Sequence, residues 1–70
     1  MNLVNINIAT EEELMTLSGV TRPVARNIVD YRSTIGGFRR VEDLALVSGV
    51  GAARLQQIKS DITIKRKLPR

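Results

Sequence analysis

The apolar positions of the chain follow one pattern twice. The stretch LMTLSGVTRPVARNI at 14–28 superposes on LALVSGVGAARLQQI at 44–58 after a shift of 30 residues. Leu14/Leu44, Ser18/Ser48, Gly19/Gly49, Val20/Val50 and Ile28/Ile58 are then identical, and Leu17 meets the equally apolar Val47. An acidic lead-in repeats with them, Glu12-Glu13-Leu14 over Glu42-Asp43-Leu44. A unit this short cannot bury its apolar face alone, so the duplication predicts two copies packed on each other.

Each copy reads as helix, tight turn, helix. Thr10 followed by Glu13 is a capping-box signature, and Leu14 and Leu17 at i, i+3 carry the first helix to about Leu17. Ser18-Gly19-Val20-Thr21 is the first turn; Thr21 is placed to cap the second helix, and Pro23 is tolerated only in that helix's first turn. Val24, Ala25, Ile28, Val29 and Ile35 mark one face of it up to Gly36-Gly37, which end it, and Phe38 is expected to fold back on the core. Val41 to Val47 predicts a short third helix despite Arg40, a poor N-cap. Ser48-Gly49-Val50-Gly51 is the second turn, and Ala52 to about Ser60 the fourth helix. Asn5-Ile6-Asn7-Ile8 and Asp61-Ile62-Thr63-Ile64 alternate, predicting an extended lead-in and a closing segment beside it. The expected fold class is all-α. A lead-in at 1–9 precedes a domain at 10–64 (copy one 10–35, connector 36–40, copy two 41–64) and a basic, disordered linker-like tail at 65–70.

Composition narrows the chemistry. The chain has 70 residues, no cysteine and no histidine, which removes disulfides, thiolate zinc sites, cysteine nucleophiles and the usual general base. With Tyr31 and Phe38 as its two aromatics, the core must be aliphatic. No apolar run approaches the roughly 18 residues of a membrane span. A soluble, intracellular binding module is expected, with no metal, no cofactor and no catalysis.

The net charge of +4 belongs to the tail, because Lys65, Arg66, Lys67 and Arg70 leave seven bases and seven acids in residues 1–64. Those charges are segregated. Glu11, Glu12 and Glu13 precede any base, whereas seven bases meet three acids between Arg22 and Lys59. A positive region facing an acidic partner is therefore possible, although bulk charge does not establish one.

The repeated unit resembles the helix-hairpin-helix motif, whose turn reads Gly-hydrophobic-Gly. Gly49-Val50-Gly51 matches it in full, and Gly19-Val20-Thr21 departs at the second glycine. NINIATEEELMTL and YRSTIGGFRRVEDL extend the likeness to the ComEA-type tandem domain, over residues 5–64. The resemblance implies a compact (HhH)2 fold of about four helices in two pseudo-symmetric hairpins. It also implies non-specific binding of double-stranded or junction DNA, as the targeting module of a larger nuclease-like repair protein or of a bacterial DNA-uptake receptor. With the eukaryotic parent the location would be nuclear. Glycosylases carrying the motif need a lysine just after the hairpin and a downstream aspartate; Arg22-Pro23 and Ala52-Ala53 stand at the lysine's place here.

Elementary physics gives such turns a way to hold DNA. Glycine lets the backbone approach a phosphate closely, and the following helix N-terminus offers free N–H groups and partial positive charge. In copy two the candidate donors are Gly49, Gly51, Ala53 and Arg54, with Ala52 in the same stretch. In copy one they are Gly19, Thr21 and Val24; Pro23, opposite Ala53, has no N–H, so the first hairpin is expected to be the weaker site. Arg22, Arg26, Arg54 and Lys59 would add side-chain contacts that position the protein without reading sequence. Val20 and Val50 sit at the hairpin tips, and core residues are the preferred reading over surface contacts. Glu11 to Glu13 read as capping residues, and Arg39 and Arg40 stay open between connector and phosphate contact. The alternative function is a protein-interaction or self-association module. A membrane-surface role is disfavoured, because the tail has no amphipathic face.

Overall fold

The computed structural model describes residues 3–65. Its elements are strand β1 (Val4–Asn5), helix α1 (Glu11–Leu14), helix α2 (Arg22–Ile35), a 3-10 helix (Val41–Leu46), helix α3 (Gly51–Ile58), a second 3-10 turn (Lys59–Asp61) and strand β2 (Ile62–Thr63). The described residues thus form a helical domain of four helices, with one small parallel ladder pairing Val4 with Ile62 and Asn5 with Thr63.

The two copies superpose in their burial. Leu14 and Leu44, Leu17 and Val47, Val20 and Val50, Ala25 and Leu55, and Ile28 and Ile58 are all buried, each pair 30 residues apart. Ile6, Ala9, Phe38 and Ile62 complete the core, and the Tyr31 ring stacks on Phe38 with centroids 5.7 Å apart. Phe38 returns to the core as expected. Asn7 fixes that return, accepting from the Phe38 N–H at 2.6 Å and donating to its carbonyl at 2.9 Å.

The capping box at α1 is complete: the Glu13 N–H donates to the Thr10 hydroxyl at 3.1 Å, and the Thr10 N–H donates to the Glu13 carboxylate at 2.8 Å. Thr10→Ala is expected to lower stability by about 1 kcal/mol, measured by denaturant unfolding. A loss near zero would mean that packing of Leu14 alone holds α1.

Several expectations are corrected. Helix α1 ends at Leu14, because the chain tightens from there into i→i+3 bonds, Thr16 N–H to Glu13 and Leu17 N–H to Leu14. Thr21 occupies the N-cap position of α2, yet its hydroxyl makes no capping bond. Ile35 is 44% exposed, since α2 outruns the core in its last turn before Gly36 closes it at φ 78°. The third helix is 3-10, Val41–Leu46, with no side-chain cap from Arg40. The fourth is α-helical from Gly51 and tightens to 3-10 after Ile58. The extended lead-in stops at Asn5, whose side chain accepts the Asn7 N–H at 2.9 Å and bends the chain into a turn. Of the expected tail only Lys65 lies within the described residues; 66–70 fall outside them. No described helix is long and apolar enough to cross a membrane.

Candidate nucleic-acid interface

Both turns are built alike. The Val20 N–H donates to Leu17 at 3.1 Å and the Val50 N–H to Val47 at 3.0 Å, with Gly19 at φ 75° and Gly49 at φ 94° in the third place of each turn. Only glycine takes such a φ without strain. The copies then diverge: Gly51 continues at φ 69°, whereas Thr21 at the matching position is extended at φ −90°.

The glycines do different work. A Cβ on Gly49 would sit 3.0 Å from a Val24 methyl. A Cβ on Gly19 would overlap the guanidinium of Arg54, with Cζ 2.8 Å and Cδ 3.2 Å away. Positions 24 and 54 are equivalent in the repeat, so each copy lays its residue on the other copy's turn: a reciprocal contact about a pseudo-two-fold axis. Asn27 adds a cross-link, donating to the Ser48 carbonyl at 3.0 Å. Gly51 is the exception, with nothing within 4 Å of where its Cβ would be. It therefore leaves an open approach to the start of α3, where the first-turn N–H groups of Gly51, Ala52 and Ala53 have no intrahelical acceptor. At α2 the series is broken, because Pro23, opposite Ala53, has no N–H.

The predicted basic residues gather round the hairpins, but three of them have carboxylate partners. Arg22 lies 3.2 Å from Glu11 and 3.7 Å from Glu12, Arg26 lies 3.8 Å from Glu11, and Lys59 lies 3.3 Å from Glu42. Pairs this exposed are worth ~0–1 kcal/mol. The Glu42 carboxyl is held below the ordinary carboxylate range, first by its own backbone amide and then by the Lys59 ammonium. Val20 and Val50 are core residues, 5% and 7% exposed, and their N–H groups are engaged in the turns. Neither side chain nor N–H is left for a ligand there. Among the described residues, no three His, Cys, Asp or Glu side chains come together as metal ligands.

Sequence reasoning missed Arg32. Its guanidinium donates to the carbonyls of Ile6 (3.0 Å) and Ala9 (2.7 Å), pinning the lead-in to α2. Its place near the helix C-terminus was the visible signal, but basic residues there commonly serve the helix's own last carbonyls.

Two hairpins in reciprocal contact, each feeding a helix N-terminus, define a tandem helix-hairpin-helix domain. The chain belongs to the family described as "Helix-hairpin-helix motif", which it matches over residues 1–63. It is 70% identical over 64 residues to Endonuclease/exonuclease/phosphatase family domain-containing protein 1 of Xenopus laevis, covering 91% of this chain and 12% of that protein. The Homo sapiens protein of the same name is 69% identical over 64 residues, 91% of this chain and 11% of that protein. ComE operon protein 1 of Bacillus subtilis is 49% identical over 63 residues, 90% of this chain and 31% of that protein. The chain thus spans a small part of the length of each relative.

Proposed function

We propose that this domain binds duplex or junction DNA without reading its sequence, gripping phosphates by the backbone amides of its hairpins. The observation that carries the proposal is the open space over Gly51 at the N-terminus of α3. There the amides of Gly51, Ala52 and Ala53 meet the positive end of the helix dipole. Membership of the helix-hairpin-helix family supports the reading. The domain would act as the intracellular targeting module of a larger DNA-handling protein, with any catalysis in another part. The nuclease-family name of the vertebrate relatives supports a nuclease-like parent; a repair role and a nuclear location belong to the proposal.

Fluorescence anisotropy with labelled duplexes tests this. Affinity is expected to be the same for unrelated sequences and to fall linearly on a log–log plot against salt, with a slope of about 0.9 per phosphate neutralised. An affinity indifferent to salt would overturn the mechanism.

A second reading keeps the fold and gives up DNA. The ion pairs of Arg22, Arg26 and Lys59 favour it, as does an open groove of about 510 Å³ lined by Leu3, Val4, Asn5, Ile8, Ala9, Glu13 and Thr16. Leu3 and Ile8 are exposed in that groove, a surface suited to a protein partner or a second copy. Sedimentation that depends on concentration, with no DNA binding at low salt, would favour this reading.

A further inference from the structure

The first hairpin is poorly equipped by its own copy. Pro23 removes the amide that Ala53 offers in copy two, and Thr21 replaces the positive-φ glycine. Arg22 and Arg26, the bases that follow this turn, face Glu11 and Glu12 of their own copy. Yet a base from the other copy lies on this turn. Arg54 leaves α3, crosses to hairpin one and packs its guanidinium against Gly19.

The bonding of Arg54 is incomplete. Its Nε is buried with no hydrogen-bond partner, and Nη1 makes one long contact to the Gln57 side chain at 3.4 Å. Among the described residues it faces no carboxylate, unlike Arg22, Arg26 and Lys59. The buried Nε holds the side chain's place and is closed to a ligand, but Nη2 has no hydrogen-bond partner among the described residues and is not buried, so the outer edge of the guanidinium is free to donate to a phosphate oxygen.

We infer that Arg54 serves the first hairpin and not its own, supplying across the pseudo-two-fold axis the phosphate donor that Pro23 withholds. The inference rests on the DNA-binding reading above. On this account each hairpin grips a phosphate by different chemistry: backbone amides at Gly51 to Ala53, and the borrowed guanidinium of Arg54 at Gly19 to Val24. It also gives Gly19 its reason, since any side chain there would displace Arg54.

The test is an amide NMR titration of the 70-residue chain with a short mixed-sequence duplex, together with anisotropy across a salt series. The unsubstituted chain is compared with Arg54→Met, Arg54→Lys and the double variant Arg54→Met/Pro23→Ala. Methionine keeps apolar cover over Gly19 without the charge, so the fold survives where alanine would open a gap. Arg54→Met is expected to reduce the duplex-induced shifts at Gly19 to Val24 severalfold while those at Gly51 to Ala53 persist. The salt slope should fall by about one. Lysine should restore part of the affinity, and Pro23→Ala should recover first-hairpin shifts in the methionine background by returning the missing N–H. The inference is overturned if Arg54→Met erases the shifts at Gly51 to Ala53 and spares those at Gly19. It is equally overturned if the variant changes neither hairpin, or if Pro23→Ala recovers nothing. If the unsubstituted chain shifts at neither hairpin, the DNA-binding reading itself fails and takes this inference with it.

Discussion

Replacing Gly51 with alanine is expected to cut DNA affinity by about tenfold to a hundredfold while leaving a folded domain. Two effects of the methyl group must be separated. Gly51 sits at φ 69°, and a side chain in that left-handed conformation costs about 1–2 kcal/mol of folding stability. The space above Gly51 is empty, so the methyl meets no neighbour and the hairpin keeps its packing. It would occupy the approach to the α3 amides, and one charge-assisted hydrogen bond lost there is worth about 1.5–3 kcal/mol of binding, or roughly the fold-change stated. Gly36 provides the control. It too is left-handed, at φ 78°, with nothing within 4 Å, but it ends α2 and belongs to neither hairpin. Gly36→Ala should destabilise comparably by thermal unfolding and leave affinity unchanged. Equal losses of affinity in the two variants would mean that backbone strain, not access to the amides, weakens binding.

The second large effect concerns folding. Leu44→Ala is expected to cost ~2–5 kcal/mol, the range for truncating a fully buried leucine. A domain of this length has roughly 4–10 kcal/mol in all, so much of the population should be unfolded at moderate temperature. Leu46, two residues on, is 66% exposed, and Leu46→Ala should stay within about 0.5 kcal/mol. Chemical denaturation of both variants checks this. Similar losses would mean that the repeat does not define the core.

That contrast bears on how much the sequence disclosed. The 30-residue repeat identified Leu14, Leu44, Val20, Val50, Ile28 and Ile58 as paired positions, and burial of both members follows from two copies packing face to face. The capping box at Thr10 was legible because it is local, needing nothing beyond three residues. Helix type was not. An apolar i, i+3 spacing serves a 3-10 helix as well as one α turn, so Val41–Leu46 gave no sign of its tighter winding. Ile35 continued the apolar pattern of α2, but periodicity does not register where the partner surface ends.

At the candidate site, the sequence singled out two turns that the structure builds alike, but the reasons given for their glycines hold only in part. The glycines were expected to admit a phosphate. Gly19 and Gly49 instead admit Arg54 and Val24 from the opposite copy, and Gly51 alone stays open. No pattern along one copy reveals what the other will lay upon it. The acidic partners of Arg22, Arg26 and Lys59 lie within the same copy and were hidden for a different reason: those pairs span 11, 15 and 17 residues and depend on how the helices pack.

The central claim is that the second hairpin's amides hold the DNA backbone. The most direct measurement is an amide NMR titration with a short duplex at two salt concentrations. We expect shifts at Gly49 to Arg54 that shrink as salt rises and do not depend on base sequence. Shifts confined to Lys65 and the residues after it, with both hairpins silent, would contradict the account and point to the protein-interaction reading.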